Sequence, residues 1–194
     1  MRLTPGIRLA AAALAAAALG LAAGSAIVGT PTVPGTQNPL PVAGSERIGP
    51  TAPDPVAGPA WTLRVYASTS GASCVQVGRI SRGRFGQVDE AGAFRALPLD
   101  PSGACGDLDA EPVIVSINAY PARVERDART VLYGRAAADV TGVLVHCGAR
   151  SPPARPVIGA TGGFLLPLAG TLAPSDLPLT ITLADGRRRI YDWS

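Results

Sequence analysis

An uninterrupted apolar run from Leu9 to Val28 constrains this chain more than any other stretch, because it decides which compartment the following residues reach. The run carries no charge and follows a short positive opening that contains Arg2 and Arg8. Positive charge before an apolar segment keeps that end in the cytoplasm and sends the rest across the membrane. As a helix the run rises about 30 Å, enough to cross a bilayer core.

The composition of this run leaves its fate open. Eleven of its residues are alanine, and only four leucines, Ile27 and Val28 insert strongly, which together supplies roughly −2 to −4 kcal/mol. Gly24, Ser25 and Ala26 offer the small residues that signal peptidase needs. Residues 1–28 are therefore predicted to be a signal peptide or a single transmembrane anchor, and the protein is expected to be extracytoplasmic, either secreted or anchored to the cell membrane. A cytoplasmic protein with an alanine-rich helix is the remaining alternative.

Residues 29–59 are predicted to be a disordered stalk rich in proline and glycine. Eight prolines and five glycines fall in this segment without any apolar periodicity. Because proline removes backbone donors and fixes φ, neither helix nor strand is expected here. An extended linker of this length reaches at most about 95 Å and suits a domain held off a surface.

The charge balance excludes nucleic acid from the expected partners. All 17 basic residues are arginine, against 14 acids. Cleavage after Ala26 removes Arg2 and Arg8, so the net charge of +3 falls to +1. The basic residues left in the body form no concentrated face that would bind a polyanion.

Residues 60–120 are predicted to form a first β unit, an antiparallel meander. Trp61–Ser68 alternates between an apolar and a mixed face, as a half-buried strand does. Closely spaced turns separate the strands that follow. These strands are expected at Cys74–Ile80, Arg84–Val88, Phe94–Leu99 and Val113–Ala119.

The three cysteines suggest one disulfide. In an oxidising compartment Cys74 and Cys105 are expected to pair, which stabilises by about 3.5 to 4 kcal/mol for a loop of this length. The odd number leaves the pairing open. Cys147 shares a predicted strand face with Val143 and Val145, so it is expected to be a buried small apolar residue.

Residues 121–194 are predicted to form a second β unit, a small immunoglobulin-like sandwich. The dipeptide Asp185-Gly186 is a hairpin signal, because glycine accepts the positive φ of a type I′ turn. The fold class is therefore all-β: an antiparallel meander followed by the sandwich, behind one N-terminal hydrophobic helix. The strands are expected at Thr130–Arg135, Val140–Cys147, Phe164–Leu168, Leu177–Leu183 and Ile190–Trp193.

A set of short motifs is spread over most of residues 61–190. The motifs are Trp61, Tyr66, Ser70-Gly71, Cys74, Val77-Gly78-Arg79, Gly83-Arg84-Phe85-Gly86, Gly92, Phe94, Cys105-Gly106-Asp107, Arg129-Thr130-Val131, Gly134 and Val140–Val143. Together they resemble a pattern in uncharacterised exported actinobacterial proteins. The resemblance implies an extracytoplasmic, commonly membrane-linked β protein with a C-terminal sandwich. It supplies no activity and no catalytic residue.

Neither a catalytic triad nor a zinc site is expected. The single histidine, His146, lies inside a predicted strand, where it is an ordinary strand residue and not part of a Ser-His-Asp site. Zinc ligation by Cys74, Cys105, Cys147 and His146 lacks the close ligand pairs of structural sites.

The acidic segment around Asp107, Asp109 and Glu111, with Asp100 nearby, is interpreted as a solvated loop. Oxygen-rich loops bind calcium outside cells, but Pro112 stands where an EF-hand requires glycine. No metal or cofactor is therefore predicted.

Two arginine groups are candidates for contact with an anionic surface, such as lipid headgroups or wall polymers. One contains Arg79, Arg82 and Arg84 around a turn, and the other is Arg187, Arg188 and Arg189. For the second group we favour edge protection, in which charge prevents the addition of another strand.

These features together predict an exported, non-enzymatic interaction module at the outer membrane face or in the cell envelope, with an envelope or membrane protein as its partner. A first alternative is an extracytoplasmic sensor or regulator that acts through a single membrane span. A second is a secreted hydrolase, for which Asp89-Glu90 and the Asp107 region are the candidate acids.

Overall fold

The computed structural model describes residues 40–89, 91–98, 103–122, 127–148 and 152–193, and the predicted leader and most of the N-terminal half of the stalk lie outside this part. The described residues form antiparallel strands in three sheets, with a short 3₁₀ turn at Pro174–Asp176. The strands are β1 Arg47–Ala52, β2 Trp61–Ala67, β3 Ser73–Ser81, β4 Arg84–Val88, β5 Phe94–Ala96, β6 Ala104–Gly106, β7 Val113–Tyr120, β8 Arg129–Ala136, β9 Val140–Val145, β10 Val157–Ile158, β11 Gly163–Ala169, β12 Leu179–Leu183 and β13 Arg188–Tyr191.

The first sheet is the predicted antiparallel meander, with the strand order β1-β2-β3-β4-β5. Strand β2 pairs with β3 from Trp61 opposite Arg79 to Ala67 opposite Ser73. Strand β6 pairs with the beginning of β3 and places Cys105 directly opposite Cys74, where the two form a disulfide. The predicted pairing is therefore present, and it fastens β6 to the sheet.

The other two sheets form the predicted sandwich. Their strand orders are β7-β8-β11-β10 and β9-β12-β13. When β7 to β13 are lettered A to G in chain order, these are the ABED and CFG sheets of a seven-stranded immunoglobulin-like domain. Leu132, Phe164, Leu179 and Ile181 are fully buried between the two sheets. The all-β fold class is thus confirmed. No disulfide joins the two sheets of the sandwich, because Cys74 is bonded to Cys105 and Cys147 is free.

The sheet of β7, β8, β10 and β11 is the middle of three layers. Leu132 and Phe164 belong to the sandwich core, whereas their neighbours Val131 and Leu165 pack against the first sheet. A sheet covered on both faces reads as continuous apolar residues in the sequence, not as an alternating pattern. This explains the run Val113–Val115, which is buried throughout.

The expectation that no strand forms in residues 29–59 is wrong for β1. Strand β1 pairs with β2, and the pairing shifts register between Ile48 and Thr51. Pro50 lies within that irregularity, where its missing N–H does not interrupt the ladder. Proline at the edge of a sheet is therefore compatible with this strand.

Two further features differ from the predictions. Strand β7 pairs with β8 along its whole length, so it belongs to the sandwich although residues up to 120 were assigned to the first unit. Strand β2 is buried on both faces, because Thr62 and Arg64 are nearly inaccessible. The prediction of a half-buried strand was therefore wrong. The hairpin of β4 and β5, and the chain after it around Leu97, cover the face of β2 that carries Thr62 and Arg64.

The described residues contain no helix that is long and apolar enough to span a membrane.

Candidate functional site

An open groove of about 1000 Å³ lies where the first sheet meets the sandwich; we call it the junction groove. Trp61 and Arg79 line its floor, on the first residue of β2 and the end of β3. The hairpin of β4 and β5 forms one wall, and residues 120–122 with Arg129 form the other. The groove therefore joins elements that lie far apart in the sequence.

Asp54 is the centre of the contacts beneath the groove, in the loop between β1 and β2. Its side chain is only 1% exposed. Oδ1 accepts hydrogen bonds from the backbone N–H of Val56 at 2.8 Å and of Ala57 at 2.9 Å, and Oδ2 accepts one from Trp61 Nε1 at 3.0 Å. An aspartate before proline readily folds its side chain onto the amides that follow, which shapes this loop.

Two arginines from different sheets reach the Asp54 carboxylate. Arg79 forms an ion pair with it, donates from NH1 to the carbonyl of Pro59 at 2.6 Å, and lies with its guanidinium carbon 3.4 Å from the centre of the Trp61 ring. Arg129, at the start of β8, places Nε 3.1 Å from both carboxylate oxygens and donates from NH2 to the carbonyl of Ala57 at 2.9 Å. The carboxylate thus joins the first sheet to the sandwich.

The surroundings shift the pKa of Asp54, Arg79 and Tyr120. Burial by itself raises the pKa of Asp54, but hydrogen bonds from Val56 and Arg79, the charge of Arg79 and the hydrogen bond from Arg129 outweigh it and hold the pKa below the ordinary 3.8. Burial lowers the pKa of Arg79, and the charge of Arg129 adds to this, against the effect of Asp54. Burial raises the pKa of Tyr120, whose ring lies 4.7 Å from that of Trp61.

The junction groove lies at the end of the first sheet that is remote from Leu40, where the described chain begins. The carbonyl of Leu40 accepts a hydrogen bond from Thr69 N–H at 2.7 Å, just beyond the last residue of β2. Trp61 is the first residue of that strand, so a seven-residue strand of about 23 Å separates the two ends. A body tethered through its N-terminal segment at Leu40 would therefore present the groove on its far side.

The candidate zinc ligands are not brought together. His146 Nε2 lies 2.9 Å from Thr180 Oγ1 on the outer face of the sandwich. Cys147 is half-buried against the sandwich core, and burial raises the pKa of its thiol, whereas Cys74 and Cys105 are bonded to each other in the first sheet. Across the described ranges no three His, Cys, Asp or Glu side chains are grouped to hold a metal ion.

The acidic candidates lie in two separate places. Asp107 and Asp109 are in the turn after β6, where Asp107 Oδ1 accepts a hydrogen bond from the N–H of Asp109 at 2.9 Å. Asp89 lines the junction groove, but it holds its own turn through the N–H groups of Ala91 and Ala93 and pairs with Arg95 at 2.8 Å. Asp100 and Glu90 lie outside the described residues.

The two arginine groups differ from each other in exposure. Arg79 is only 8% exposed, so the expectation that it shares an exposed cationic turn with Arg82 and Arg84 is wrong. Arg187, Arg188 and Arg189 are exposed. Arg187 directly precedes the edge strand β13, and Arg188 and Arg189 are its first two residues. Arg187 Nε lies 2.5 Å from Asp185 Oδ2.

Sequence reasoning did not single out Asp54, because it fell in the segment predicted to be a stalk. The available signal was the pair of prolines that flank it, which marks a turn directly before the alternating strand. Arg129 also went unnoticed as a site residue, since its partner is 75 positions away in the sequence.

Comparison of the chain with protein-family models, with curated proteins and with solved structures finds no match. The fold and the groove define a class, a three-layer β protein with a recessed surface between two of its layers. The junction groove is the feature from which a function is argued.

Proposed function

We propose that this protein is an exported, non-enzymatic interaction module at the outer membrane face or in the cell envelope, and that it binds a membrane or envelope protein through the junction groove. The observation that carries the proposal is the position of the groove at the end of the body remote from Leu40. A module held by its N-terminal segment needs its binding surface on the far side. The Cys74–Cys105 disulfide supports an oxidising compartment.

The chemistry of the groove supports binding rather than catalysis. A general acid at neutral pH needs a carboxyl group whose pKa is raised toward the working pH. Hydrogen bonds from Arg95 and from the backbone of Ala93 lower the pKa of Asp89, and the two arginines keep Asp54 ionised. These carboxylates hold the walls and floor of the groove in place.

The test is a matched pair of substitutions in the full chain. Ala122→Trp adds bulk to an exposed alanine of the groove wall, and Ala110→Trp makes the same change at an exposed alanine in the turn before β7, at the other end of the body. In pull-downs from envelope extract, Ala122→Trp should weaken capture of the partner about tenfold or more, and Ala110→Trp should leave it unchanged. Equal capture by both variants would contradict the assignment of the groove, and no captured partner would contradict the module.

The sensor that acts through a single membrane span remains an alternative. It requires an intact N-terminal anchor, because the signal would have to cross the membrane through that span. Sequencing the N-terminus of the mature protein discriminates the two, because a terminus at or near Ile27 eliminates the sensor and leaves a secreted module. A secreted hydrolase would instead require that Asp89→Asn abolish turnover of an envelope polymer.

An anionic surface is a second proposed contact, through Arg187, Arg188 and Arg189. Their hairpin lies at the same end of the body as Leu40. Ala184 N–H in this hairpin donates to the carbonyl of Asp139, in the turn after β8, at 2.7 Å. Arg135 near the end of β8 in turn contacts Ser73, the first residue of β3, on the side of the first sheet where Leu40 lies. An anchored body would turn this hairpin toward the bilayer. Sedimentation with anionic vesicles should decrease for Arg188→Gln at low salt, and binding that does not depend on Arg188 would contradict the contact.

A further inference from the structure

Arg79 is held in one orientation before any ligand arrives. Its plane lies on the Trp61 ring at 3.4 Å, and NH1 contacts both Asp54 and the carbonyl of Pro59. The side chain is 91% buried, yet it lines the junction groove. A guanidinium fixed in this way loses little rotamer freedom when it binds, which favours affinity.

The ion pair with Asp54 and the hydrogen bond to Pro59 hold this guanidinium through a single nitrogen atom. A guanidinium has five N–H donors, and the contacts described above all use NH1. The edge formed by Nε and NH2 has the geometry that matches two oxygens of a carboxylate or a phosphate. Tyr120 also lines the groove, and its hydroxyl accepts a hydrogen bond from Asn118 Nδ2 at 3.5 Å.

Two guanidiniums, those of Arg79 and Arg129, share the single carboxylate of Asp54. Asp89 on the wall is paired with Arg95. Burial and the charge of Arg129 lower the pKa of Arg79 in spite of Asp54, so a second anion beside Arg79 would be stabilising.

We propose that the junction groove recognises an oxyanion, a carboxylate or a phosphate carried by its partner, and that Arg79 holds this group through Nε and NH2; this rests on the proposed binding role of the groove. The carboxylate of Asp54 and the ring of Trp61 then act as positioning groups. They set the direction of the guanidinium and need not touch the ligand. The rest of the groove wall contacts whatever bears the oxyanion.

Trp61 supplies the reporter for a direct test, because the protein has only two tryptophans. In a Trp193→Phe background of the full chain, the fluorescence of Trp61 reports on the guanidinium that lies over it. Inorganic phosphate and acetate are titrated separately, each against sodium chloride at the same ionic strength to remove screening effects. We expect a saturable change with at least one of the two probes, and the tighter probe identifies the kind of oxyanion.

Matched variants make the inference falsifiable. Arg79→Lys keeps the charge but loses the fork, so binding of the probe should weaken about tenfold or more. Arg47→Lys makes the same change at an exposed arginine that pairs with Val65, at the end of β1 away from Trp61, and should leave it unchanged. If Arg79→Lys does not fold, Ala122→Trp serves instead, because it obstructs the groove from an exposed position. No response beyond that of chloride, or full affinity in the folded Arg79→Lys or Ala122→Trp variant, overturns the proposal.

The two experiments distinguish failure of oxyanion recognition from failure of the proposed interaction module. A partner that Ala122→Trp displaces, without any response to phosphate or acetate, disproves oxyanion recognition and leaves the interaction module standing. A probe that binds without any captured protein supports the oxyanion site and contradicts the module.

Discussion

Arg129 of the sandwich contacts Asp54 of the first sheet, with Nε 3.1 Å from both carboxylate oxygens. The two residues belong to units that pair no strands with each other among the described residues, so this contact adds a directed polar bond to the apolar packing between two layers. It also fixes the loop of Ala57 that forms one border of the junction groove. The stability of the body and the shape of the groove therefore depend on the same carboxylate.

Removing the charge of Asp54 should strongly destabilise the protein. In Asp54→Asn, Arg79 and Arg129 stay buried or half-buried without their carboxylate, and the loss of one partner of a buried ion pair costs about 3 to 5 kcal/mol. Urea unfolding measures this free energy. Asp185→Asn, whose carboxylate pairs with exposed Arg187, is the matched control and should leave the urea midpoint unchanged. A similar small effect for both variants would show that Asp54 does not join the layers.

The same carboxylate should make the fold sensitive to acid. The pKa of Asp54 in the folded protein lies below its ordinary 3.8, so its contribution is present above that value and is lost as the pH falls through the folded pKa. The free energy of unfolding of the native protein should therefore decrease below about pH 4. Urea midpoints between pH 7 and pH 2 test this. An Asp54→Asn variant with the same acid dependence as the native protein would contradict it.

The disulfide should contribute substantially to the stability of the first sheet. It closes a loop with a sequence separation of 31, and the chain-entropy estimate for such a loop is about 4 kcal/mol. Cys74→Ser with Cys105→Ser should lower the free energy of unfolding by this order, and a reductant should have no further effect on that variant. Intact mass with and without reductant reports the bond itself. If the reductant does not change the urea midpoint of the native protein, the disulfide does not contribute this stability.

Cys147 should react slowly with alkylating reagents. The thiolate is the reactive form, and burial raises the pKa of this thiol, so its thiolate fraction at pH 8 is smaller than that of an exposed cysteine. Labelling with iodoacetamide in the folded and in the urea-unfolded, unreduced protein gives the comparison. Equal rates in both states would show that the thiol is open to solvent.

The middle layer should be intolerant of cavities on both of its faces. Leu165→Ala faces the first sheet and Leu132→Ala faces the sandwich core, and each truncates a fully buried side chain, so each should cost about 2 to 5 kcal/mol. Ile190→Ala, at a side chain that is 75% exposed, is the control and should change the urea midpoint little. A small loss for Leu165→Ala would mean that the first sheet does not cover this face.

Sequence patterns predicted strands and turns correctly where the surroundings of a residue depend mainly on its neighbours in the chain. The alternation over Trp61–Ser68 located β2, Trp61–Ala67, although both faces of that strand are buried. Asp185-Gly186 located the hairpin between β12 and β13. Proline content misled for β1, because a strand at the edge of a sheet tolerates Pro50 in an irregular register. Turn spacing placed β7 with the strands before it, whereas its pairing with β8 is set by contacts that no spacing rule contains.

The sequence by itself determined that this is an all-β body, since strand periodicity is a local property of the chain. The three cysteines favoured a disulfide between Cys74 and Cys105 but left the pairing open, and the structure contains that bond. Only the tertiary structure decided that the middle sheet is covered on both faces and that a groove opens between two layers. The reason is that Asp54, Arg79 and Arg129 come from three separate elements. Their contact depends on how two sheets pack, and packing is a property of the whole fold.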